Sequence, residues 1–251
     1  MHEIDATSLE QNTLINTLKS VVEKGTTPYV IIRNATKLYN EDEWLDFLTN
    51  NCNLKRDCRQ FDADSNFLLT DWWTISYNPE KDYSYAHSKT PQPFHNDNAW
   101  FQDPAEINFF IMKKQSQIGG EQKIILVNDF VNFLKENNPI LLNSLLTTQV
   151  KIKKGTTDNE YNGTILNNSN GEFEMHWNYY RTDKSNSKIE QMCDDLFNLL
   201  KQLETTKIVQ TVRLNTGDGL CIADMKLLHG RNSYHAERKD DRILLQSMWR
   251  L

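Results

Sequence analysis

From Asp71 onward the chain is a succession of short runs rich in β-branched and aromatic residues, and this texture narrows its possible folds more than any other feature. The runs are Trp72 to Tyr77, Ile107 to Met112, Lys123 to Val127, Ile208 to Leu214, Leu220 to Ala223 and Arg242 to Met248. Short strands separated by turn residues build antiparallel sandwiches or barrels. Gly119-Gly120 reads as a tight hairpin between two runs, and Gly217-Asp218-Gly219 as another.

Helices flank and interrupt this pattern. Leu9, Leu14, Ile15, Leu18, Val21 and Val22 recur at helical spacing between about Ala6 and Lys24, with Gly25 as the stop. Tyr29 to Ile32 reads as a buried strand. Asn40 is placed to cap a second helix with Glu43 as its box partner and Trp44, Leu45, Phe47 and Leu48 on its buried face. These elements are expected to cover a sheet. A third helix starts near Asn128, buries Phe130, Phe133 and Leu134, and ends at Asn137-Asn138-Pro139. A fourth takes Ser187 as cap and Glu190 as box partner, and its stripe of Ile189, Met192, Cys193, Leu196, Leu199, Leu200 and Leu203 makes Cys193 a core residue. Lys153 to Gly171 shows no periodicity and reads as an irregular segment, either a lid or surface decoration.

No Pro/Gly/Ser linker or charge block divides the 251 residues, so a single domain over 1–251 is expected: N-terminal helices and strand over 1–70, packed on a core over 71–251. The net charge of −6 argues against nucleic-acid binding, which needs clustered Lys and Arg. The local basic run Lys151 to Lys154 is expected to be a solvated strand end. The N-terminus lacks a basic start and apolar run, and no stretch suits a bilayer, so a cytoplasmic protein without membrane partners is expected. Cys52, Cys58, Cys193 and Cys221 are scattered without a C-x-x-C pair, which removes a zinc knuckle or disulfide framework. The Asn-x-Thr/Ser triplets at Asn34, Asn162 and Asn167 follow from an Asn-rich composition.

The chemistry-bearing pattern is His95-Asn96-Asp97 with a distant His229. On a strand, residues i and i+2 share a face, so His95 and Asp97 point into one cavity while Asn96 points away. Two imidazoles and one carboxylate on one face suit a divalent metal with open coordination positions, the facial-triad arrangement. Arg242 enters an apolar strand thirteen residues past His229 (242 − 229 = 13). A buried guanidinium needs an anion opposite it, and its planar fork suits a carboxylate.

The ordered set His95-Asn96-Asp97, Gly119-Gly120-Glu121, Gly217-Asp218, Asp224 through His229-Gly230-Arg231, and Arg242 resembles the Fe(II)/2-oxoglutarate-dependent dioxygenases of the taurine dioxygenase and clavaminate synthase-like family, over about Asp71 to Leu251. The resemblance implies a mainly β protein with flanking helices around a double-stranded β-helix, or jelly-roll, core. His95, Asp97 and His229 would hold Fe(II). Arg242 would bind the distal carboxylate of the cosubstrate 2-oxoglutarate, with Arg231 as a competitor, and O2 would complete the reactants. Gln122 stands where the family often has Thr or Ser against the cosubstrate. Gln246 stands where taurine dioxygenase-like members carry a second arginine for an anionic substrate, so a sulfonate substrate is not expected. Asp97 occupies the position that halogenases leave open for chloride, which points to oxygenation.

Asn98, Trp100, Gln246 and His87 are the expected substrate contacts, whereas His176 and His235 are expected to be structural and Arg238 superficial. The implied reaction is hydroxylation of a small molecule, an amino acid or an amino-acid-derived metabolite of specialised biosynthesis. Desaturation and isonitrile formation use the same oxidant. A jelly-roll protein that only binds a ligand at a retained metal site, or a zinc hydrolase, is the alternative of a different class, and hydrolysis gives no reason for a carboxylate clamp at Arg242 beside the metal.

Overall fold

The computed structural model describes residues 3–8, 10–23, 28–155 and 160–251. Two sheets face each other. The major sheet orders its strands Glu3–Asp5, Tyr29–Arg33, Gly219–Ala223, Ile107–Lys114, Ile243–Arg250 and Lys55–Arg56, with Trp73–Ser76 also paired to Ile243–Arg250. The minor sheet orders Gln210–Val212, Gln122–Leu126, Leu227–Arg231 and Gln92–His95. Among the strands of these two sheets, from Gln92–His95 on to Ile243–Arg250, each strand of the minor sheet is followed in sequence by one of the major sheet, except that Gln122–Leu126 is followed by Gln210–Val212, its neighbour in the minor sheet; this is the winding of a jelly roll.

Alternation along each strand builds the layers. Val30, Ile32, Phe109, Ile111 and Cys221 face outward to the N-terminal helices, while Tyr29, Ile31, Phe110, Met112, Leu220 and Ile222 face the interior. Interior residues from the minor sheet, Ile124 and Leu227, meet them there, and their neighbours Ile125 and Leu228 point the other way into a second helical layer.

On the outer face of the major sheet, Gln11–Glu23 and Glu41–Asn50 supply the cover. The first helix is shorter than expected. The Asp5 carboxylate accepts from the Thr7 amide at 3.0 Å, and this local competition sets Glu3–Asp5 as a strand and Ala6–Ser8 as a 3-10 turn. The expected helical residues Leu9 and Lys24, the stop at Gly25 and the side chain of Val22 lie outside what is described. The second helix carries the full capping box: the Glu43 amide donates to Asn40 Oδ1 at 3.0 Å and the Asn40 amide to Glu43 Oε2 at 2.8 Å. Such a cap stabilises by about 1 kcal/mol.

Three helices, Val127–Asn137, Pro139–Thr147 and Ser187–Leu203, cover the minor sheet. Asn138-Pro139 does more than end a helix. Asn138 accepts from the Leu141 amide at 3.1 Å and Pro139 takes the first helical position, so an unanticipated helix starts there. The cap of Ser187–Leu203 is Asn186, one residue before the expected Ser187, and it accepts from the Lys188 amide at 2.9 Å. Cys193 is buried in that helix's core face.

Neither glycine pair forms a hairpin. Gly119-Gly120 links Ile107–Lys114 to Gln122–Leu126, and Gly217-Asp218-Gly219 links Gln210–Val212 to Gly219–Ala223; in both cases the flanking strands belong to different sheets. Lys153 to Gly171 is not irregular where it is described. Gln149–Lys153 pairs with Glu160–Thr164, and Leu166–Ser169 with Glu172–Met175, while residues 156–159 lie outside the description.

Candidate active site

The interior faces of both sheets converge at one end of the jelly roll. His95 closes the strand Gln92–His95 and stands directly opposite His229 on Leu227–Arg231, their ring centroids 4.4 Å apart. Gly230 makes this approach possible, because a Cβ there would lie 2.7 Å from the Gln92 carbonyl oxygen. Asp97 was expected on the same strand face as His95, but the strand ends first and Asp97 opens the turn at 97–100. The turn still brings Asp97 to the pair: Oδ1 lies 3.4 Å from His95 Nε2 and Oδ2 3.4 Å from His229 Nε2. Among the described residues these three form the one cluster whose possible ligand atoms all lie within 4.8 Å of one another.

Surrounding groups hold each member. His95 Nδ1 lies 2.9 Å from the Pro93 carbonyl, which fixes Nδ1 as the protonated nitrogen and leaves Nε2 as the acceptor beside Asp97. The Gln92 amide nitrogen approaches that Nε2 at 3.0 Å. Asp97 Oδ2 accepts from Gln246 Nε2 at 2.7 Å and from Asn108 Nδ2 at 3.1 Å. Asn96 points away from the cluster and is fully buried. It donates to the Asp224 and Leu227 carbonyls at 2.7 and 2.8 Å and accepts from the Trp177 amide at 3.1 Å, tying the turn to the strand that carries His229.

The electrostatics favour an added cation. Burial works against a charged His229, yet the Asp97 and Asp224 carboxylates outweigh it and push His229 up to about 10. Burial also opposes charge on Asp97, but the two imidazoles hold it well below the usual carboxylate range. Asp224 is lifted by burial to about 7 against the pull of His229. Its Oδ1 sits 3.2 Å from His229 Nε2, and no aligned hydrogen bond reaches either of its oxygens. His229 Nε2 likewise has no hydrogen-bond partner. Protons collect where a divalent cation would sit, and the donor set of two imidazoles and a carboxylate fits such an ion.

Behind the cluster lies an apolar slot lined by Phe110, Ile124, Leu220 and Leu244, with His229 and Gln122 in its wall. With its amide oriented so that both ends find partners, Gln122 donates to the Gly230 carbonyl and accepts from Arg242 Nη2, each at 3.2 Å. Arg242 immediately precedes the strand it was expected to open. It is fully buried, and its Nε and Nη1 have no acceptor. Burial and, behind it, the Arg231 charge depress Arg242 to about 9, as expected of a guanidinium lacking a counter-anion. Arg231 is also buried, with Nε and Nη1 unpaired; its Nη2 donates to the backbone carbonyls of Ser88 at 2.7 Å and Thr90 at 2.9 Å, whereas the Nη2 of Arg242 turns to the Gln122 side chain.

On the other side of the cluster is a cavity of about 510 Å³, within the size range of small-ligand sites. Asn98, Trp100 and Gln246 line it, but Gln246 spends its amide on Asp97. His87 does not line it; its Nδ1 faces the Ser76 carbonyl at 3.0 Å. His176 stacks on Tyr161 at 4.0 Å, His235 is exposed and Arg238 lies on the surface. The sequence reading missed Asn108, which sits mid-strand in an apolar run, and also Lys154 and Arg181. Lys151 and Lys153 are exposed as expected of a solvated strand end, whereas Lys154 turns inward to the cavity.

A jelly roll with two histidines and an aspartate on one interior face is the architecture of the facial-triad iron oxygenases. The profile described as "Taurine catabolism dioxygenase TauD, TfdA family" matches residues 56–249, and the chain belongs to this family of Fe(II)- and 2-oxoglutarate-dependent dioxygenases, which consume O2. Among solved structures, an asparagine oxygenase in complex with Fe(II), (2S,3S)-3-hydroxyasparagine and succinate superposes with a TM-score of 0.72 at 13% identity, covering 94% of this chain and 79% of that one. The non-haem iron oxygenase OrfP in complex with Fe and α-ketoglutaric acid superposes with a TM-score of 0.68 at 14% identity, covering 97% and 80%. No curated protein matches the sequence. Among the described residues no helix is long and apolar enough to cross a membrane.

Proposed function

We propose that the protein hydroxylates an unactivated C–H bond of a small amino acid or amino-acid-derived molecule. His95, Asp97 and His229 hold Fe(II), and Arg242 takes the distal carboxylate of 2-oxoglutarate with Gln122 beside it. The bound iron and cosubstrate supply the oxidising power that activates O2 for C–H cleavage. The chain's own residues set its aim. Gln246 and Asn108 orient the Asp97 carboxylate, the apolar slot keeps water from the cosubstrate, and the cavity lined by Asn98 and Trp100 presents the substrate to the triad. The fold neighbours support the substrate class, since their structures contain hydroxyasparagine and (3S)-hydroxy-L-Arg. The whole chain acts as one cytoplasmic domain that binds neither nucleic acid nor membrane.

The single observation that carries this reading is Arg242, a buried guanidinium with two unpaired N–H groups beside Gln122, whose other neighbours line the slot leading to His229. Zinc hydrolysis gives no reason for a carboxylate clamp beside the metal. Anaerobic addition of Fe(II) and 2-oxoglutarate is expected to produce a visible metal-to-ligand charge-transfer band. Arg242→Ala is expected to retain the metal but weaken the cosubstrate by about 2–5 kcal/mol, at least about thirtyfold. Iron-loaded protein with no band would overturn the assignment.

A further inference from the structure

The substrate cavity carries a charge that the proposed function does not use. Its wall holds two cations, Lys154 and Arg181, and Asp97 is the only carboxylate among the described residues that line it. The two cations come from different segments that are locked together. The Lys153 amide donates to the Arg181 carbonyl at 3.0 Å, the Asp183 amide donates to the Lys151 carbonyl at 2.8 Å, and Ile152 bridges to Thr182. The Lys154 ammonium stands 4.6 Å above the Trp100 ring and reaches the Phe61 carbonyl at 3.5 Å. Among the described residues neither cation has a carboxylate at ion-pair distance, and burial lowers the pKa of both.

Charge balance says what is missing. On the proposed function, the metal dication, Asp97, the cosubstrate dianion and Arg242 cancel among themselves. Among the described residues that line the cavity, Lys154 and Arg181 are left over, held in a partly desolvated wall where an unpaired cation is costly. Gln246 is neutral and already turns its amide nitrogen to Asp97, so it offers a substrate anion no charge to pair with. Recognition therefore falls to the opposite wall.

We propose that Lys154 and Arg181 form an anion clamp for a carboxylate of the substrate, so that the enzyme acts on a small carboxylic acid held by that group. A molecule whose distal charge is an ammonium or guanidinium would meet two like charges there. The inference rests on the oxygenase reading for the charge balance at the triad, and on the lining of the cavity for the two cations themselves.

The test is calorimetric titration of anaerobic protein, loaded with Fe(II) and 2-oxoglutarate, with free and N-acetylated amino acids and their matched primary carboxamides. At least one acid is expected to bind at least tenfold more tightly than its carboxamide. Lys154→Met or Arg181→Met is expected to weaken the acid alone, while Lys154→Arg and Arg181→Lys keep most of the preference. Should a methionine variant fail to fold, the acid-to-amide ratio in the natural protein decides. If no acid is preferred over its amide while the charge-transfer band is intact, the clamp is overturned and the oxygenase reading stands. A preserved preference without the band overturns the oxygenase reading alone. Matched sulfonates and phosphonates form the last arm, and tighter binding of either than of the carboxylate overturns the carboxylate assignment.

Discussion

His95 and His229 occupy directly opposed positions on neighbouring antiparallel strands, so two residues far apart in the chain meet through backbone pairing alone. The spacing of that pair depends on Gly230, where an added Cβ would lie 2.7 Å from the Gln92 oxygen and 3.3 Å from Pro93. Those are backbone atoms and cannot swing aside. Gly230→Ala is expected to destabilise the protein by about 1–3 kcal/mol and to weaken metal binding by forcing the imidazoles apart. Thermal denaturation with and without Fe(II) checks both effects, and an unchanged metal-induced shift would refute the second.

Gln246 separates a positioning role from a substrate contact. Its 2.7 Å hydrogen bond to Asp97 predicts that Gln246→Leu lowers metal affinity by about 10–100-fold. A residue that only touched substrate would raise KM and leave the metal alone. Competition with a chromophoric chelator distinguishes the two.

Asn96 makes three side-chain hydrogen bonds in a fully buried setting. Asn96→Ala removes all three bonds and leaves the Trp177 amide without its side-chain acceptor, at a cost of about 3 kcal/mol. For a chain of this size the midpoint is expected to fall by about 6–12 °C, even with the metal absent. A shift confined to the metal-loaded protein would contradict this structural role.

Lys154 predicts a pH dependence. Burial and then the Arg181 charge hold it at about 8, below the ordinary lysine value of 10.5, while Asp97 and Asp62 pull the other way. Because the folded value is depressed, the penalty for the buried ammonium is fully present below about 8. It is relieved as pH rises towards the unfolded value, so this group favours folding more at the alkaline end. Carboxylate binding needs the ammonium and should weaken in the same window, by at most about tenfold per pH unit. Lys154→Arg is expected to flatten the profile, and a wild-type profile that is flat from pH 7 to 10 would exclude the dependence.

Much of this was legible in the chain. The Asn40–Glu43 box and the buried Tyr29–Ile32 strand follow from local spacing and alternation, whereas the set His95, Asp97 and His229 was legible from its residue types and motif order, with Asp97 arriving from a turn and His229 through long-range strand pairing. The glycine pairs misled because a turn signal reports a change of direction and says nothing about which sheet the next strand joins. Asn138-Pro139 was half read, since the residues that stop one helix also suit the start of another. Lys154 was hidden in a run of lysines: alternation exposes Lys151 and Lys153 and gives Lys154 the inward parity of Val150 and Ile152, which the uniform charge of the run masks. Arg181 carried no local signal at all, because its place depends on the pairing of its turn with a distant strand.

Arg242, Leu244, Gln246 and Met248 all project to the interior from one continuous segment, which spans from the guanidinium behind the slot to the amide on Asp97. Inserting or deleting a single residue there would exchange the whole set for its outward-facing neighbours, costing cosubstrate capture and metal geometry in one step. The wall that carries Lys154 and Arg181 belongs to other segments, so substitutions there can reshape the cavity without shifting the register of the reactive end.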